Sequence, residues 1–449
     1  MTTHIHNDPH ERAGVGNACR TAAGVLATVA ALVLSPASAT AQEVIPAPPQ
    51  NRPVALVGGT IHTVANGVIQ NGTIVFDDGR ITAVGANVQV PADAERIDIS
   101  GKHVYPGLID AFSTVGITEI GSVDVTNDTS ELGGVNPNVR AEVAVNAESR
   151  HIGTTRSNGV LVTLTSPSGG LISGLAAAMN LDGWTWEEMT LEAAAALIVN
   201  WPNPGSNNYD DDLAELKGIF DTARAYRTLK EQGDASTIAT DPRWEAMMPV
   251  FSGDVPVIVG ADDIAQMRDA MAWADTEGLR LILRGGRDAW HIADDLASAQ
   301  VPVLLTSVIA GPGRDWEPID AAYGQPRRLH EAGVRFAITG GSSAAYANRL
   351  PYEAGAAIAY GLPADEALKA VTLYPAQFLG IDDRVGSLQT GRDATLLITT
   401  GHPLEYSTVV EQAYIEGRRI DMMDAHKRFF EKYREKQQQR GGGGGPPSP

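Results

Sequence analysis

The sequence predicts a (β/α)8 barrel joined to a composite β-sandwich, and three observations lead there. Between residues 106 and 379, apolar β-branched runs alternate with helical patterns over a length that suits such a barrel. Short alternating runs broken by turn residues precede that stretch, from Val54 to Asp98. The same texture returns at 385–420, and neither flank is large enough to stand alone.

In chain order, the first segment carries Arg12 and Arg20, then the apolar run AAGVLATVAALVL (Ala22–Leu34), then SPASATAQ. A basic start, an apolar middle and a small-residue end make a secretory signal, spanning 1–41 with cleavage after Ala41, or after Ala39. The run falls short of the ~20 residues that cross hydrocarbon, so no membrane span is expected in the mature chain. Export to the periplasm or the medium follows as an expectation. Cys19 leaves with the signal, as do His4, His6 and His10, so the mature chain has no thiol.

Residues 42–105 are assigned to the sandwich: VALVGGTIHTV, NGVIQNGTIVF and RITAVG, with Asp77-Asp78-Gly79 as a hairpin turn. Eight barrel strands are expected at 103–111, 159–166, 174–181, 195–200, 255–261, 279–285, 301–307 and 334–340. Near-continuous apolar runs separated by helices indicate parallel strands, so all eight are expected to run the same way. Residues 380–422 complete the sandwich, and 423–449 form a charged helix and a Gly/Pro tail.

With 43% hydrophobic and 20% charged residues the chain is globular. A formal charge of −20 repels phosphate backbones, which argues against nucleic acid as a partner.

Active sites of such barrels lie at the carboxyl ends of the strands. GRITAVG, GKHVYPGLIDA and ALKAVTLYPAQFLGIDDRVGSLQTGRDATLLITTGHPLE resemble the amidohydrolase superfamily, in its imidazolonepropionase-like branch, from about residue 54 to 420. The resemblance implies a TIM-type barrel with a composite sandwich, and a hydrolase of carbon–nitrogen bonds other than peptide bonds. It also implies one or two divalent metals, held by His-x-His on strand 1, often a lysine on strand 4, histidines on strands 5 and 6, and an aspartate on strand 8.

The matching places read otherwise. They hold Phe112 and Thr114, then Asn200, Gly260, Gly285-Gly286, and Gly340 or Gly341. The metal-ligand residues are replaced, and no metal or other cofactor is expected. The remaining histidines lie elsewhere: His62 and His402 in the sandwich, His426 in the tail helix, His103 at the start of the first barrel strand, His151 and His330 ahead of strands, and His291 in the helix after strand 6. Asp262, Asp263 and Asp288 are expected to cap helices, and Asp110 to turn the chain out of strand 1.

What remains at the rim is the loop Thr339 to Arg349, expected to floor a pocket for an anionic or polar group. The candidate substrate-binding residues are Thr114, Gly340, Gly341, Ser342, Ser343 and Arg349, with Arg284 and Arg287 as nearby cations. Two functions are carried forward. One is the hydrolase that the resemblance implies; the other is a catalytically silent barrel that binds a small molecule or a partner, with a homo-oligomer left open.

Overall fold

The structure, a computed structural model, describes residues 45–232 and 238–439. The signal segment and the Gly/Pro tail beyond 439 lie outside the described residues. Among those described, no helix is long and apolar enough to cross a membrane.

Among the described residues, sixteen strands form two sheets. The first contains β1 (Val54–His62), β2 (Val68–Asp77), β3 (Arg80–Gly85), β4 (Glu95–Asp98) and β5 (His103–Pro106). The barrel sheet contains β6 (Leu108–Ser113), β7 (Val160–Thr165), β8 (Ile172–Asn180), β9 (Thr190–Asn200), β10 (Val257–Ala261), β11 (Leu281–Gly285), β12 (Val303–Leu305) and β13 (Phe336–Ile338). The chain then returns to the first sheet with β14 (Leu396–Thr399), β15 (Val410–Ile415) and β16 (Arg418–Ile420). Strand β14 pairs antiparallel with β5, so the two ends of the chain share one sheet. Its core packs Leu56, Ile74, Phe76 and Val104 from the first half against Leu396, Ile398 and Tyr414 from the second.

Two expectations need correction. The run 103–111 is not one barrel strand: β5 belongs to the first sheet and β6 to the barrel, with Gly107 between them. A Cβ at Gly107 would lie 2.8 Å from the Leu161 side chain, so only glycine lets the chain change sheets there. His103 therefore begins a sandwich strand. The strands are also not all parallel, since β8 runs antiparallel to both β7 and β9. Residues 166–171 and 181–189 are too few for the dozen or more that a parallel crossover takes, so the chain turns straight back.

The barrel interior is apolar, filled by Ile109, Ala111, Phe112, Val162, Leu164, Ala176, Ala178, Ile198, Ile258, Ile282, Leu304 and Ala337. A register shift between Asp110 and Ser113 turns Phe112 inward beside Ala111, as bulges commonly do. The seam between β13 and β6 closes through other groups. Ile338 N donates to Ala370 O at 3.0 Å, and Ile109 N to Val371 O at 2.8 Å. At the same seam Gly340 N donates to Asp110 Oδ1 at 3.2 Å.

Candidate functional site

At the carboxyl ends of the strands, the interior faces of β9, β10 and β11 present Asn200, Gly260 and Arg284. Alternation fixes the last of these, because Ile282 faces the interior and Arg284 follows two residues on. Its guanidinium carbon lies 4.4 Å from the centre of the Phe112 ring, and Nη2 donates to Asn200 Oδ1 at 3.3 Å. Asn200 is oriented for this contact: its Nδ2 donates to Gly170 O at 2.9 Å and to Ser173 Oγ at 3.0 Å. Gly260 supplies the room, since a Cβ there would collide with Arg284 Nη2. Burial holds the guanidinium pKa below its usual value, while Asp262 acts through space in the opposite sense.

Arg284 thus faces the barrel interior at the end of β11, where the sequence suggested the glycine pair Gly285-Gly286 as the strand end and Arg284 as a nearby cation. Both glycines have positive φ, 101° and 62°, and turn the chain away from the axis after the arginine.

The predicted loop residues are brought to the seam, and several of their polar groups are already engaged. Thr114 Oγ1 accepts from Ala344 N at 3.0 Å, tying the loop after β6 to the loop after β13. The Gly340 amide is held by Asp110, and Gly341 N donates to Thr339 Oγ1 at 3.3 Å. Ser343 Oγ accepts from Ala345 N at 3.4 Å, and Ser342 is exposed. Arg349 lies 3.2 Å from the buried Glu353 carboxylate, which also accepts from Val308 N and Ile309 N. Arg287 pairs with Asp288 at 3.9 Å.

The aspartates divide. Asp263 caps the helix Ile264–Glu277 in a capping box with Gln266, as expected. Asp288 does not cap; both its oxygens receive Arg314 nitrogens at 2.7 Å. Asp262 is exposed and accepts from Arg287 N at 3.4 Å. Asp110 lies within β6, fully buried, and its Oδ2 has no partner. Burial pushes its carboxyl up to about 8, against the two backbone N–H bonds that favour the charged form.

The histidines are scattered. His62, His103 and His402 gather in the sandwich around Tyr105, with His62 Nε2 3.0 Å from His103 Nδ1. His151 and His330 lie inside helices, with His151 Nε2 2.9 Å from Glu119 O. Among the described residues no group of three or more His, Cys, Asp or Glu is placed to hold a metal ion. One cavity of about 580 Å³ lies under the 128–144 loop and another of about 420 Å³ at the amino ends of β11 and β12, and Arg284 lines neither.

A barrel sheet closed at its seam, joined to a sheet built from both ends of the chain, is an architecture shared with solved amidohydrolases. An amidohydrolase from Thermotoga maritima superposes with a TM-score of 0.74 at 24% identity, covering 82% of this chain and 99% of that one. The amidohydrolase family pattern matches residues 325–420. The imidazolonepropionase of Symbiobacterium thermophilum is 25% identical over 426 residues, which is 78% of this chain and 92% of that protein. The amidohydrolase tasK of Hapsidospora irregularis is 23% identical over 398 residues, and the match spans 77% of this chain but only 39% of tasK. Residues 325–420 thus carry the amidohydrolase pattern, and the chain is similar at low identity to imidazolonepropionases.

Proposed function

We propose that this protein binds a small molecule at its barrel mouth and has given up the metal-dependent hydrolysis usual in its superfamily. One observation carries the reading: a guanidinium lies where the strand-end ligands would meet. Arginine has five donors and no lone pair to offer, and its charge repels a divalent cation. The groups beside it do not compensate, because Phe112 presents a ring face, Gly260 has no side chain and Asn200 Oδ1 already accepts from Arg284. That donor set does not fit zinc, manganese or iron, which take imidazole, carboxylate or thiolate.

Hydrolysis of a non-peptide carbon–nitrogen bond stays as the second reading, supported by the names of the relatives alone. Thermal melting with chelator and with added zinc separates the two. A metal stabilises only the state that binds it, so the reading expects neither EDTA nor zinc to move Tm. A fall of several degrees with EDTA, restored by zinc, would count for the hydrolase. Export through the predicted signal remains part of the proposal.

A further inference from the structure

Arg284 is a partly buried cation, and the carboxylates of the rim residues described above are committed elsewhere. Asp288 is held by Arg314 and Arg287, Asp262 is exposed and acts on Arg284 only through space, and Glu353 pairs with Arg349. Among the described residues, Arg284 forms no ion pair. Its Nε is closed to solvent and has no hydrogen-bond partner among the described residues. The contacts it does make are neutral: the Phe112 face and the Asn200 amide oxygen.

Burying a charge without a counter-ion is costly, and proteins otherwise pair such groups or leave them in water. The surroundings also keep this one in place. Asn200 is locked by Gly170 and Ser173, and Gly260 leaves the guanidinium its volume. The guanidinium is therefore a preformed half of an ion pair.

Resting on the non-metal reading above, we propose that the barrel mouth takes a small monocarboxylate, whose carboxylate becomes the counter-ion of Arg284. Planarity favours a carboxylate, since the guanidinium fork matches it with two parallel hydrogen bonds. Charge favours a monoanion over a dianion such as phosphate. One guanidinium neutralises one charge, and a chain of net charge −20 works against bringing in a second.

The test titrates the full mature protein with acetate, benzoate, benzamide and inorganic phosphate by calorimetry. Saturable binding of acetate or benzoate at one equivalent is expected. Benzamide, which has benzoate's shape without its charge, should bind at least about tenfold more weakly, the scale of one lost charged contact. Arg284→Met should abolish carboxylate binding while leaving Tm unchanged or raised, because it removes an unpaired, partly buried charge.

Three results would overturn the proposal: no saturable binding of acetate or benzoate, phosphate bound more tightly than either, or unchanged carboxylate binding in Arg284→Met. A marked fall in Tm for that variant with binding retained would assign Arg284 to structure. Each of these leaves the broader non-metal reading standing, which fails instead on the chelator and zinc melts.

Discussion

Arg284 and Asp110 show how a residue's meaning changes with the face it occupies. In the sequence Arg284 was one of several rim cations, because the glycine pair after it looked like the strand end. Alternation from Ile282 is the available signal, and it turns the arginine toward the barrel interior. Asp110 stood out less, as the residue before two missing ligands. In the fold it spans the seam of the barrel, buried, with one oxygen satisfied and the other bare. With its folded pKa raised to about 8 from 3.8, it is protonated in the native state where the unfolded chain is ionised. Its contribution is therefore fully present below the unfolded value and is lost as pH rises toward 8. Asp110→Asn keeps the acceptor for Gly340 N and cannot ionise, so its Tm advantage over the parent should grow from pH 4 to pH 8. An advantage that stays flat across that window would mean that Asp110 is not buried as described.

At the scale of elements, what could be read depended on whether a pattern carried direction. All eight barrel strands were visible as apolar runs, since burial on both faces leaves that mark regardless of orientation. The reversal of β8 is not visible in the runs themselves; it is implicit in the short separations on either side. The ion cluster joining distant elements was also hidden, because its members are far apart in the chain. Asp182, just past β8, accepts from Arg156 at 2.6 Å, Arg418 of β16 at 2.9 Å and Ala47 N at 3.1 Å. Arg156 is almost fully buried, and burial drives the Asp182 pKa up against the pull of both arginines. Asp182→Ala would strand Arg156 without its partner, a loss of about 3–5 kcal/mol by analogy with other broken buried pairs. Urea unfolding measures it; a loss below about 1 kcal/mol would mean that the cluster is loosely packed or wet.

Over the whole molecule, fold and chemistry were legible to different degrees for a physical reason. Fold is encoded redundantly, by many apolar positions and turns, so the barrel and its sandwich survive errors in single elements. A site is encoded by a few side chains whose direction the local pattern hardly reveals, and here the loop of Gly340 and Gly341 spends its amides on its own closure. The central proposal concerns the mouth: a fixed organic cation would stand where the family resemblance implies metals. Elemental analysis of protein purified without chelator tests it most directly. The account predicts zinc, manganese, iron, cobalt and nickel all well below one equivalent per chain, in the parent and in Arg284→Met alike. One or two equivalents of any of them, lost from a variant altered at the strand ends, would contradict it.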